Sequence, residues 1–299
     1  MIKHFFIPTI AAFIIIFSSC TGCSNNTKKD TTKEDPTLDF ESISVIDSID
    51  AVFYALPSPE EIISYVKDNH VTFDAKLMHN YNEAKLYTGY EKKALACGVY
   101  FADLAYISAF NKSDFSAEYI STIDYLLKEL NINPQFTKKQ QERIINASME
   151  PDSLYAISRE LYDTVISYLQ EYDEGKTLSL LSVGTFVESL YLTTRLHNDF
   201  EKQKDAINRI AEQKLLFEDI VTMATTYEKN QIISEMIGDL KVLEQSFNNL
   251  NVHIGESEAK TQADGSLRIE GKSKITITEE NYFIFSDNVQ DFRTKIIKQ

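Results

Sequence analysis

An all-α fold is predicted: an irregular antiparallel bundle of about eight or nine helices with a small β excursion near residues 252–278. Three observations carry this. Glycine (9) and proline (6) are scarce among 299 residues, which argues against turn-rich sandwiches and barrels. Hydrophobic residues make up 43% and charged residues 25%, enough for a packed core. Apolar residues then recur every three to four positions through most of the chain beyond residue 58.

The clearest local signal is Leu56-Pro57-Ser58-Pro59-Glu60-Glu61. Ser58 can cap, Pro59 suits the first helical position, and Glu61 closes a capping box, so a helix is expected to about Asp68. The next is expected from about Glu83 to Phe110, striped by Tyr87, Tyr90, Ala94, Phe101, Ala105 and Ser108. A third starts at Ser113 or Asp114 and turns Tyr119, Ile123, Leu126 and Leu130 inward, until Asn133-Pro134 stops it. Thr137 with Gln140 caps a short fourth, and Pro151-Asp152-Ser153 opens a fifth. The sixth spans about Thr177 to His197. A seventh carries Ile207, Ile210, Phe217, Val221 and Ala224, and an eighth carries Ile233, Met236, Leu240, Leu243, Phe247 and Leu250. Beyond it, Val252 to Ile254, Leu267 to Ile269 and Ile275 to Ile277 alternate like short strands. Thr278 and Glu279 introduce a last helix, from about Glu280 to Ile297.

The chain begins differently. Met1-Ile2-Lys3-His4 is a short basic start, and Phe5 to Phe17 is an apolar run of about 13 residues, the length of a signal-peptide core and too short to span a bilayer. Phe17-Ser18-Ser19-Cys20 follows, and a cysteine behind two small residues at that place resembles the lipobox of bacterial lipoproteins. Cys20 is the expected lipidation site; Cys20-Thr21-Gly22-Cys23 offers Cys23 as the alternative. The division expected is a signal peptide over 1–19, a lipidated N-terminus and polar tether over 20–42, and a helical domain over 43–299. By the same resemblance, the missing aspartate in second position implies an outer-membrane destination, periplasmic or surface-facing. The anchor would carry palmitate-type acyl chains into the bilayer.

Leu56-Pro57-Ser58-Pro59-Glu60-Glu61-Ile62, Tyr81-Asn82-Glu83-Ala84-Lys85 and the run Ala94-Leu95-Ala96-Cys97-Gly98-Val99-Tyr100-Phe101-Ala102-Asp103-Leu104-Ala105-Tyr106 resemble a group of helical lipoproteins of Bacteroidetes. No activity is attached to that group, so the resemblance implies anchoring and fold and is silent on chemistry.

Lys and Arg number 30 against 45 Asp and Glu, a net charge of −15, which excludes nucleic acid as a partner class. His70, His79, His197 and His253 are scattered and lack metal-ligand spacing; phosphate loops and nucleophile elbows are absent. Cys97 sits among Ala94, Ala96 and Gly98 with no local base, and reads as a packing residue. No catalytic residue, metal or cofactor is expected. Sixteen tyrosines and eighteen phenylalanines fall mostly on inward stripes, which core packing explains before any carbohydrate site does.

Charges stranded in apolar helices are the one arrangement with chemical content. Asp103 is alone in its run, and Glu188 and Arg195 share a helix face about 10.5 Å apart. A charge so placed costs several kcal/mol unless paired. An interior polar cluster of Asp103, Glu188 and Arg195 is therefore expected, with Tyr100, Tyr106 and Tyr191 as candidate members. It is either a ligand pocket or a closed network that fixes helix register. The function expected is that of a membrane-anchored binding or scaffold protein of the cell envelope, with a possible protein partner there. The alternatives are an envelope enzyme with an interior carboxylate site and a lipoprotein holding a ligand near Asp103 and Arg195.

Overall fold

The structure, a computed structural model, describes residues 58–67, 71–145, 151–250, 252–253, 258–261, 267–270 and 274–298. The expected leader, Cys20, Cys23 and the tether lie outside the described residues. Ten α-helices are present among those described: α1 Pro59–Val66, α2 Tyr90–Ala109, α3 Ser116–Glu129, α4 Lys138–Ile145, α5 Pro151–Glu171, α6 Gly175–Leu196, α7 Lys204–Glu212, α8 Lys214–Thr225, α9 Gln231–Asn249 and α10 Glu279–Ile297. Short 3₁₀ turns cover Tyr81–Leu86 and Ser113–Phe115.

Local chemistry sets four of the helix starts. Ser58 Oγ accepts from the Glu61 N–H, with Pro59 in the first turn. Thr137 and Gln140 form a complete capping box: Gln140 N–H donates to Thr137 Oγ1 at 3.2 Å, and Thr137 N–H donates to Gln140 Oε1 at 2.7 Å. Asn230 caps α9 and Thr278 caps α10.

Two expected helices are each broken. The run expected from Glu83 to Phe110 is a 3₁₀ turn and then α2, because Gly89 at φ 88° takes a conformation that a helix cannot contain. The expected seventh helix is α7 and α8, interrupted at Gln213. In the β excursion, β1 (Val252–His253) pairs antiparallel with β4 (Lys274–Ile275), and β2 (Glu258–Thr261) with β3 (Leu267–Glu270). The alternation at 252, 267 and 275 anticipated three of these strands; the charged Glu258-Ala259-Lys260-Thr261 gave no such sign.

Helices α2 and α6 are buried on nearly every side, as helices without a polar face must be. They cross backbone to backbone. A Cβ on Gly98 would lie 2.1 Å from the Leu181 carbonyl oxygen, and one on Gly184 would lie 2.1 Å from that of Leu95. Four buried hydroxyls of α6 turn back on their own helix: Thr185, Ser189, Thr193 and Thr194 donate to carbonyls four residues earlier at 2.7–2.9 Å. The other helices wrap this pair. Phe186, Phe217, Phe247 and Phe285 link α6, α8, α9 and α10 ring to ring, at centroid distances of 6.0, 5.0 and 4.6 Å.

Candidate functional site

Asp103 on α2 and Glu188 on α6 are both 0% exposed, and they face each other where the two central helices are covered by α10. The cation that meets them is Arg293. Its Nε donates to Glu188 Oε2 at 2.8 Å and its Nη2 to Glu188 Oε1 at 3.0 Å, a two-pronged pair in which Arg293 is 11% exposed. The guanidinium lies 4.4 Å from the centre of the Tyr191 ring.

Arg195 does not join this cluster. Its Nη2 donates to Asp287 Oδ1 at 3.2 Å and to the Ser286 carbonyl at 3.3 Å, and it lines a surface groove of about 500 Å3 with Asp74, Asn198 and Lys202. The reason is position: Arg195 lies in the last turn of α6, where a long side chain reaches solvent. Tyr106 is also elsewhere, accepting from the Asp74 N–H. The residue that sequence reasoning missed, Arg293, interrupts the inward stripe Tyr282, Ser286, Val289, Ile296 of α10 at a place where an apolar residue belongs. That interruption was the available signal.

Two buried carboxyls this close cannot both stay ionised. Burial, and then the charge of Glu188, raise the Asp103 pKa well above the ordinary carboxyl range, against Arg293 and the His79 N–H, which lower it. Burial also raises Glu188, while Arg293 and the hydrogen bond from Asp103 hold it down. Asp103 Oδ1 meets no N–H or O–H donor among the described residues, and contact with Glu188 adds to the rise of the Asp103 pKa. With one proton on the pair, the cluster is a neutral acid, a carboxylate and a guanidinium, with no net charge.

The polar groups are spent on one stretch of irregular backbone. Asp103 Oδ2 accepts from the His79 N–H at 3.0 Å, and Tyr119 Oη donates to the His79 carbonyl at 2.8 Å. Tyr100 Oη donates to the Asn80 carbonyl at 3.0 Å, and Arg293 Nη2 to that of Leu77 at 3.4 Å. The His79 ring bonds Tyr87 Oη at 2.7 Å, and burial followed by the Arg293 charge lowers the His79 pKa to about 4. The Asn80 carbonyl also accepts from the Glu83 N–H of the 3₁₀ turn at 3.0 Å; for the His79 N–H and the Leu77 and His79 carbonyls the buried side chains supply the partners. Phe73 adds an apolar anchor, stacked 5.0 Å from Tyr106.

A second buried carboxyl, Glu60 at the start of α1, accepts from Ser158 Oγ on α5, while its Oε2 has no partner. Burial pushes its pKa up to about 7, against the lowering effects of Ser158, its own N–H and Ser58. Cys97 is free and fully buried, and burial raises its thiol pKa. No group of three or more acidic, histidine or cysteine side chains able to hold a metal occurs among the described residues. The chain matches no protein-family model, no curated protein and no solved structure.

Proposed function

We propose that this chain is a lipid-anchored protein of the bacterial envelope, tethered through acylated Cys20 in the outer membrane, and that it binds partners or ligands through the outer surface of its helical body. The anchoring rests on the basic start, the short apolar run and Phe17-Ser18-Ser19-Cys20. One observation carries the binding reading over an interior site. Asp103 and Glu188 are fully buried and committed to Arg293 and to the backbone of residues 77–80. A general acid or base must reach its substrate, and these two groups are enclosed by protein.

Metabolic labelling with palmitate tests the anchor. Label is expected in the wild-type chain and absent from Cys20→Ala; label lost only in Cys23→Ala moves the anchor to the second frame, and no label in the wild type overturns the proposal. Crosslinking in intact cells, compared between wild type and Cys20→Ala, tests the scaffold role. A specific envelope partner captured only by the anchored protein is the expected result.

A further inference from the structure

A groove of about 540 Å3 runs between the 3₁₀ turn Tyr81–Leu86 and α3, on the outer side of the segment that the buried cluster holds. We propose that this groove is a binding site for an uncharged oligosaccharide, a reading that rests on the surface-binding function above and gives it a ligand class.

Aromatic surface comes first. Tyr81 and Tyr125 come to the groove from its two walls, and Tyr81 is 39% exposed. Most tyrosine hydroxyls elsewhere are used within the chain, as those of Tyr87, Tyr100, Tyr106, Tyr119 and Tyr282 are. The hydroxyls of Tyr81 and Tyr125 make no hydrogen bond to any described residue. A tyrosine face carries negative charge density and packs against the C–H face of a pyranose ring, leaving the hydroxyl to bond at its edge.

Mixed polarity comes second. Lys85, Glu118 and Ser121 line the same groove, and none of their side chains bonds another described residue. Together they offer donors, acceptors and a group that is both, which suits a ligand whose hydroxyls also do both. One cation and one anion leave no net field to select a charged ligand, and the whole chain at −15 disfavours an anionic one. A partner helix would want a continuous apolar stripe, and Lys85, Glu118 and Ser121 interrupt the lining here.

Rigidity comes third. Asn80 begins the inner wall: its carbonyl is held by Tyr100, and its Oδ1 accepts from the Asn82 N–H at 3.0 Å. The neighbouring His79 is clasped by Asp103 and Tyr119, and the Tyr119 ring meets Tyr81 edge-on at 5.9 Å. The buried network thus sets the groove wall before any ligand arrives, which reduces the ordering cost of binding. From Ala117 to Tyr125 the groove follows α3 for about 12 Å, room for a short chain of sugars.

Saturation-transfer NMR on the full chain tests this, in a sugar-free detergent such as lauryldimethylamine oxide, with cellohexaose, maltohexaose, xylohexaose, mannohexaose and chitohexaose as probes. At least one is expected to receive saturation. Its affinity should fall about tenfold or more in Tyr81→Ala and Tyr125→Ala and remain unchanged in Tyr172→Ala, a residue 58% exposed in the turn after α5. Ser121→Arg fills the groove from an exposed position without removing a core contact, and should abolish the signal even if a tyrosine variant folds poorly. Transfer to none of the five, or transfer that survives Ser121→Arg, overturns the assignment. Palmitate labelling reads the anchor independently, so the two proposals fail separately.

Discussion

At the scale of single residues, two arginines in similar sequence settings carry different loads. Arg293 neutralises a fully buried carboxylate, so Arg293→Met strands that charge and should cost about 3–5 kcal/mol in chemical unfolding. Glu188→Gln in the same chain should recover part of that loss, since the stranded charge is then gone. Arg195 faces Asp287, which is 75% exposed, and Arg195→Met should cost about 1 kcal/mol or less. Equal costs for the two variants would contradict the assignment of the cluster. Glu60 supplies a pH dependence. Its folded pKa of about 7 lies above the ordinary 4.5, so its contribution is complete below pH 4.5 and is lost as pH rises through 7. At about 1.4 kcal/mol per pH unit this amounts to about 3 kcal/mol. Measured across pH 5 to 8, Glu60→Gln should therefore gain on the wild type by an amount of that order. His79, lowered to about 4, works in the opposite sense: as pH falls from 6.5 towards 4, its buried neutral ring costs stability.

At the scale of elements, the crossing of α2 and α6 leaves no room for a side chain. In both glycine positions the clash is with backbone, which cannot swing aside. Gly98→Ala and Gly184→Ala should each destabilise by about 3 kcal/mol or more, visible as a lower melting temperature, whereas Gly238→Ala on exposed α9 surface meets nothing within 4 Å and should be neutral or slightly stabilising. How much was legible in the sequence follows the same division. Helices such as α4, α5, α9 and α10 could be read because capping, an N-terminal proline and periodicity are local signals. The breaks at Gly89 and Gln213 were missed because an apolar stripe runs across them unchanged. Asp103 and Glu188 stood out as charges in apolar runs, but the choice of Arg293 over Arg195 depends on which helix end faces solvent, and that is tertiary. The role of His79 was invisible, since what the cluster grips there is backbone, which has no letter in the sequence.

At the scale of the whole molecule, closure depends on the last helix, while the strands that precede it do not close the fold. Helix α10 brings Arg293 to Glu188, Phe285 to Phe247 and the Tyr282 hydroxyl to the His197 carbonyl at 2.7 Å. A chain ending at Thr278 would leave Asp103 and Glu188 buried without their cation and open the aromatic face of α9, so it should lose cooperative unfolding and expose apolar surface to a dye such as ANS. The excursion has the opposite status. It leaves through β1 and returns through β4 as the antiparallel partner of β1, and Asn281 Nδ2 donates to the Asn249 carbonyl at 2.9 Å across its base. The exit and the return are therefore neighbours held by α9 and α10, and closing them with a shorter loop costs little chain entropy. Replacing residues 254–273 with a short Gly-Ser turn is expected to keep cooperative unfolding and the melting temperature within a few degrees of the full chain. Loss of cooperativity in that shortened chain, matching the truncation before α10, would mean that the strands hold the last helix in place and that the Arg293 contacts alone are insufficient.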